Sequence, residues 1–392
     1  MKFNKTILIP ILLIITIGGI LLSLLITNYN SNHVDGPLET LHASTHSNKS
    51  LNTYEKSFTA EATISAVGDL LIHSTVYNVA KTNNGYDFNP MLARVKEYLL
   101  ATDISIANQE TMVGGTEIGL STYPTFNSPY EVADALVEAG VDIVSIANNH
   151  TIDRGEIAVQ NAIKHYEKIG MKYVGGYKDF DDQNTLRTIT KNGLTFSFLS
   201  YTYGTNGIPI PKGKEYLVNL IDKEIIERDV AHAKKHSDVV VVSMHWGVEY
   251  ILYPNKEQEE LAQFLAEIGV DIVIGHHPHV LQPMEFIERP DGEKMFVIYS
   301  LGNFLSGQKW DYKDIGGVVQ LRVKKTVGSG ESKSKLDITV DDFIPTFVSQ
   351  EAHSKFHVVP LKDAASFGLP NAKAKTEEMM NHMYQWLNNP RH

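Results

Sequence analysis

The apolar stretch at the start of the chain has no counterpart further along. Ile7 to Thr27 carries no charged residue over 21 positions. A helix of that length rises about 30 Å, enough to cross the hydrocarbon core of a bilayer. Pro10, Gly18 and Gly19 weaken a soluble helix but are tolerated in a membrane span. A cleaved signal peptide has a shorter apolar region, about 7–15 residues, and no clear small-x-small site follows this run. The pattern predicts an uncleaved transmembrane anchor over 7–27 behind a short tail, 1–6. Lys2 and Lys5 precede the run, whereas Asp35 and Glu39 come before the next lysine, Lys49. The positive-inside rule then places the N-terminus in the cytoplasm and the bulk of the chain outside, as a single-pass protein of the cell membrane. Residues 28–60 are rich in Asn, Ser, Thr and His without a sustained apolar period, and read as a flexible linker.

From about Glu61 the pattern alternates. Short apolar runs predict buried strands at Thr63–Val67, Asp103–Ala107, Asp142–Ala147, Phe196–Tyr201, Asp238–Met244, Asp271–Ile274 and Met295–Ser300. Amphipathic stretches between them predict helices, including Tyr130–Ala139, Glu156–Ile169 and Lys256–Ile268. Val/Ile runs without polar alternation fit strands covered on both faces, and alternating elements of this kind predict a layered α/β architecture. One segment echoes another: Glu138-Ala139-Gly140-Val141-Asp142-Ile143-Val144 resembles Glu267-Ile268-Gly269-Val270-Asp271-Ile272-Val273. In each, a glycine caps a helix and releases the chain into a strand. Beyond Gly307 the character changes. Residues 324–342 are charged and Ser/Gly-rich, Leu336–Val340 alternates, and 374–387 reads as a helix with Met379, Met380 and Met383 on one face. Residues 307–392 are expected as an extension packing on a domain spanning 61–306.

Composition narrows the function. The 392 residues hold 35 Lys+Arg against 46 Asp+Glu, a formal net charge of −11. A broad nucleic-acid-binding surface is therefore not expected, since phosphate backbones need clustered positive charge. There are no cysteines, which excludes disulfides, zinc–thiolate sites and Cys nucleophiles.

Five polar clusters follow the expected strands: Gly68-Asp69-Leu70-Leu71-Ile72-His73, Asn108-Gln109-Glu110, Asn148-Asn149-His150 running on to Asp153 and Arg154, His245-Trp246-Gly247-Val248-Glu249, and Gly275-His276-His277-Pro278-His279. Open α/β sheets place function beyond the carboxyl ends of strands. Oxygen and imidazole donors without thiolate suit Mn²⁺, Fe or Zn²⁺. Two such ions bridged by a carboxylate activate water and clamp a phosphoryl oxygen, and an unligated His nearby can protonate a leaving oxygen. Each residue alone has an ordinary reading. Asp69 could be a turn residue, Asn149 an Asx-turn former, and Asp153 and Arg154 a helix cap and surface ion pair; Asn303 could pin a loop. Packing does not account for the conjunction, with three histidines in four residues at one strand end.

Together with Ser300-Leu301-Gly302-Asn303-Phe304, these motifs resemble the CapA/PgsA family of poly-γ-glutamate capsule synthesis proteins, within the calcineurin-like metallophosphoesterase superfamily, over about Glu61 to Ser306. The resemblance implies a four-layer α-β-β-α sandwich of metallophosphoesterase type holding two divalent metal ions. It implies that Asp69 and His279 bind the first metal, that Glu110 bridges both, and that Asn149, His245 and His277 bind the second. It makes His150 the general acid or a phosphate contact. His73, Asn108, Asp153, Arg154, Glu249, His276 and Asn303 stand as surrounding or substrate-contacting residues. The superfamily's first motif is usually Asp-x-His, and here Leu71 occupies the His position. His277 and His279 match the superfamily's final His-x-His spacing, while a pairing through His276 stays open.

The leading expectation is a membrane-anchored extracytoplasmic protein of poly-γ-glutamate synthesis or export, with membrane-bound synthase subunits as implied partners. A second is a surface hydrolase, a metal-dependent phosphodiesterase or phosphatase acting on nucleotide or cell-wall phosphates. A third is a non-catalytic scaffold that binds the anionic polymer through a degenerate site.

Overall fold

A computed structural model describes residues 57–328, 334–351 and 355–391. The anchor expected over 7–27 and the linker up to residue 56 lie outside them. Among the described residues no helix is long and apolar enough to cross a membrane.

The architecture is mixed α/β. In chain order the strands are β1 (Phe58–Leu71), β2 (Lys81–Thr82), β3 (Gly85–Tyr86), β4 (Ile104–Asn108), β5 (Ile143–Ser145), β6 (Lys172–Val174), β7 (Arg187–Lys191), β8 (Leu194–Thr202), β9 (Val239–His245), β10 (Ile272–His276), β11 (Leu281–Glu288), β12 (Lys294–Leu301), β13 (Asn303–Ser306), β14 (Ile315–Val327), β15 (Lys335–Glu351) and β16 (Lys355–Pro360). One sheet runs β16-β15-β14-β1-β4-β5-β6, with β13 also paired to β1; the other runs β11-β12-β10-β9-β8-β7. β1, β4, β5 and β6 are parallel neighbours, as are β8, β9, β10 and β12.

Side-chain alternation along the second sheet sets the layering. Phe196, Phe198, Val239, Val241, Ile272, Ile274, Phe296 and Ile298 join the first sheet in one buried cluster. The intervening Tyr201, Val240, Val242, Val273 and Val297 form a second cluster with Ile226, Val230, Leu261 and Leu265, which belong to the helices Lys223–Ala233 and Lys256–Glu267. The latter helix starts at a capping box between Asn255 and Gln258. The helices Glu131–Ala139 and Gly155–Ile169 pack on the first cluster through Val132, Leu136, Val159 and Ile163, and each ends on a left-handed glycine, Gly140 or Gly170.

Two expectations are revised by long-range pairing. The strand expected over Thr63–Val67 begins at Phe58, inside the stretch read as linker, because β14 pairs with it from Phe58↔Val327 onward. Residues 307–392, expected as an extension, enter the first sheet as β14, β15 and β16 and add the helix Ala372–Asn388.

Register is pinned by one device used four times. An aspartate directly before a strand accepts a backbone N–H from the neighbouring strand: Asp103 Oδ2 from Thr63 (2.8 Å), Asp142 Oδ2 from Ser105 (2.8 Å), Asp238 Oδ2 from Thr195 (2.8 Å) and Asp271 Oδ2 from Val240 (2.7 Å). The two echoed segments share it, so corresponding joints in the two sheets deliver their strands alike.

The sheets are stitched where the chain leaves β12, turns at Gly302 and enters β13. There Asp69 N–H donates to Gly302 O (2.9 Å), and Asp69 pairs with Asn303 across a register shift. A Cβ on Gly68 would lie 1.9 Å from Gly302 O, so only glycine fits. Gly68→Ala is expected to destabilise the fold by about 3 kcal/mol, the upper end of overpacking costs. Gly204→Ala, where a Cβ meets nothing within 4 Å, should stay within about 1 kcal/mol of the parent. Thermal unfolding of the two variants checks this, and equal Tm values would refute the close-approach argument.

Candidate metal centre

The expected donors arrive from the carboxyl ends of five strands. Asp69 comes from β1, Glu110 from just past β4, Asn149 from past β5, His245 from the end of β9, and His277 and His279 from past β10. The turn carrying Asn149 is held by its neighbours. Asn148 Nδ2 donates to Gln109 O (3.0 Å), His150 N–H donates to Asn148 Oδ1 (2.9 Å) and Thr151 Oγ1 donates to Ile146 O (2.6 Å). His277 (φ 96) and His279 (φ 56) adopt left-handed backbone conformations. Non-glycine residues hold such conformations only where the surroundings impose them, commonly at functional sites.

These side chains converge. Asp69 Oδ2 lies 3.0 Å from His279 Nδ1, and Asp69 Oδ1 accepts from Asn108 Nδ2 at 2.8 Å. Glu110 Oε1 is 3.7 Å from both His245 Nε2 and His279 Nε2. Asn149 Oδ1 is 2.8 Å from His245 Nε2. Three sets of donors each fit a single ion: Asp69, Glu110 and His279; Glu110, His245 and His277; and Glu249, His277 and His279. Glu110 belongs to the first two, the placement a bridging carboxylate needs. His276, the last residue of β10, is in none of the sets; its Nδ1 lies 3.5 Å from Asp69 Oδ1.

A cleft of about 480 Å³ opens over this cluster, lined by Asn149, His150, Glu249, His279, Leu71 and His73, among others. His150 Nδ1 is 2.7 Å from Asp153 Oδ2, which also accepts Phe126 N–H at 2.7 Å. Phe126 is wedged edge-on between His150 and His73, at 4.7 and 5.2 Å. His73 thus lines the cleft without entering any donor set. Arg154 turns away and binds Ile118 O, Gly119 O and Ser121 Oγ. Asn303 donates to Gln308 Oε1 and Lys313 O and steadies the loop past β13. Sequence reading passed over Tyr203 and Asn206, past the end of β8. Tyr203 packs on His245 and His277, and Asn206 Oδ1 accepts from Asn149 Nδ2 at 3.2 Å. The strand-end rule that found five clusters points to this sixth one.

Electrostatics set the protonation of the free protein. Burial opposes charge on Asp69, but the neighbouring His276 and His279 prevail, the latter in hydrogen-bond contact, and hold its carboxyl well below the usual range. Burial drives Glu110 well above its usual range, with the charges of Asp69, Glu249 and Asp153 adding to the effect. Burial and the neighbouring His279 bring His277 down to about 3, and burial with His277 lowers His245. His279 goes the other way. Burial disfavours its charge, yet Glu110 and Asp69 push it up to about 9.

The donor set fits divalent metal. Both Glu110 oxygens, His245 Nδ1, His277 Nδ1 and Asn108 Oδ1 are buried without a hydrogen-bond partner. Unpaired buried polar atoms are costly. Their concentration among mixed carboxylate, amide and imidazole donors is what a cation site requires.

Comparison with known proteins shows what the chain is similar to. Residues 63–308 match the family model described as bacterial capsule synthesis protein PGA_cap. The chain is 35% identical over 202 residues to a Bacillus subtilis (strain 168) protein named PGA biosynthesis protein CapA, covering 51% of each chain. It is 28% identical over 276 residues to a Bacillus anthracis capsule biosynthesis protein CapA, covering 67% of this chain and 64% of the relative. The matched region thus spans less than two thirds of the length of either relative. Among solved structures, Haemophilus influenzae NAD nucleotidase (NadN) superposes with a TM-score of 0.46 at 14% identity, covering 83% of this chain and 64% of that one.

The raised groups predict coupled proton release. With His279 shifted up to about 9, the free protein carries that proton at pH 7, and a metal needs the ring bare. Mn²⁺ uptake should therefore release protons, and apparent affinity should rise with pH towards about 9. Calorimetric titration in two buffers of different ionisation enthalpy should give different heats. Identical heats would show that no proton leaves.

Proposed function

The chain belongs to the bacterial capsule synthesis protein PGA_cap family, and from that premise we propose that it is a membrane-anchored, extracytoplasmic protein of poly-γ-glutamate synthesis or export with a dinuclear metallophosphoesterase-like centre. The observation that carries this reading is the convergence of Asp69, Glu110, Asn149, His245, His277 and His279, from strand ends of two sheets, with buried donor atoms left unpaired among them. Two sheets sharing a core, with helices against them, accord with the four-layer α-β-β-α sandwich of that superfamily. In this reading Asp69, Glu110 and His279 hold one ion, and Glu110, Asn149, His245 and His277 hold the other. Two divalent ions, of Mn, Fe or Zn, would supply Lewis acidity and a water ionised near neutral pH.

The chain's own contribution is orientation and a proton. Asp153 accepts from His150 Nδ1, which fixes the ring and leaves Nε2 to exchange a proton with a leaving oxygen in the cleft. That arrangement favours turnover of a phosphate ester over a purely structural role. It also supports a second reading, a surface phosphodiesterase or phosphatase acting on nucleotide or cell-wall phosphates. The expected partners are membrane-bound poly-γ-glutamate synthase subunits. With a net charge of −11, the protein would hold an anionic polymer through its metals or through local lysines and arginines.

In a polymer-producing host, deleting the gene should abolish surface poly-γ-glutamate. The intact gene should restore it, and Asp69→Ala should not; unchanged polymer after deletion would refute the pathway. For the purified full-length protein in detergent, His150→Ala should retain two metals per chain while phosphodiester turnover falls by about 10²–10⁴. Turnover unaffected by His150→Ala would remove its role as acid.

A further inference from the structure

One carboxylate at the centre falls outside the six-donor set. Glu249, half-buried at the cleft wall, places its oxygen with donor atoms of His277 and His279 so that all lie within 4.8 Å of one another. The loop carrying it is fastened on both sides. Trp246 N–H donates to His276 O (3.2 Å) and Tyr250 N–H donates to Pro278 O (2.7 Å), while Trp246 Nε1 donates to Tyr299 O at 2.9 Å. Two of these bonds reach into the segment that bears His277 and His279, so the backbone at Glu249 is held beside that segment. Tyr250 (φ 66), like His277 and His279, sits in the left-handed region. The two segments hold one another in a conformation that neither would adopt freely.

Burial points the same way. Asp69 and Glu110 are fully buried, whereas Glu249 is half-buried and lines the cleft. Glu110 approaches the histidines from the interior and Glu249 from the cleft.

We propose that Glu249 is itself a metal ligand, closing the cleft side of the centre against the ion or ions held by His277 and His279. This rests on the reading of the cluster as a metal centre and adds to it a donor beyond the six. The test uses the full-length protein in detergent, loaded with Co²⁺ and competed with a chelator, comparing wild type, Glu249→Gln, Glu249→Asp and Glu260→Gln. Glu260 lies on an exposed helix face and controls for loss of one charge. Removal of groups that only support metal ligands costs about 10–100-fold in affinity. Glu249→Gln should therefore bind at least about tenfold more weakly and show an altered visible Co²⁺ spectrum, with Glu260→Gln unchanged. Glu249→Asp keeps the charge but shortens the reach, and should also shift the spectrum. Wild-type affinity and spectrum in Glu249→Gln would overturn the assignment while leaving the metal centre standing, as would a wild-type spectrum in Glu249→Asp. A wild-type protein that binds no Co²⁺ would overturn the metal-centre reading and this assignment with it. Near-UV circular dichroism of the variants separates lost ligation from lost folding.

Discussion

The backbone contact between Gly68 and Gly302 is the constraint on which the centre depends. A Cβ on Gly68 would lie 1.9 Å from Gly302 O, so the chain can pass from β12 to β13 only against a residue with no side chain. That passage ties the two sheets together at the residue that precedes Asp69. Donors from β1, β4 and β5 then meet donors from β9 and β10 at one point. The four strand-leading aspartates, Asp103, Asp142, Asp238 and Asp271, keep the strand ends level enough for the meeting. Shifting one strand by a residue would turn its donor to the opposite face.

The centre is expensive for the free protein. Asp69, Glu110, His245 and His279 are each at most 2% exposed, and burying ionisable groups without full pairing works against folding. Part of the cost is relieved internally, by the hydrogen bonds that Asp69 receives from Asn108 and His279. The rest remains as unpaired oxygens on Glu110 and unpaired ring nitrogens on His245 and His277. A fold that carries such a deficit at a cleft, with two histidines in left-handed backbone, concentrates its frustration where a ligand can relieve it.

Much of this was legible in the amino-acid order. Val239–Val242 and Ile272–Ile274 are unbroken apolar runs and form central strands, and Gly140 and Gly269 mark the helix-to-strand joints. The donor clusters could be read because each lies at or shortly past the carboxyl end of a strand. What pairing over long distances decides was not legible. Nothing local in Ile315–Val327 shows that it lies antiparallel to β1. The choice between His276 and His277 depends on where β10 ends: His276 still pairs with His245 in the sheet, whereas His277 has left it. Tyr203 and Asn206 were passed over because an ordinary turn sequence carries them. The place of His73, against Phe126 and not among the donors, follows from a loop packing that no periodicity encodes.

The most direct test of the central claim, that these residues form a dinuclear metal centre, is an anomalous difference map from crystals of the Mn²⁺-loaded protein, measured on both sides of the manganese absorption edge. The account predicts two edge-dependent peaks flanking the Glu110 carboxylate, one beside Asp69 and His279 and the other beside Asn149, His245 and His277. A map with no peak at Glu110, or with manganese bound only elsewhere on the chain, would contradict it.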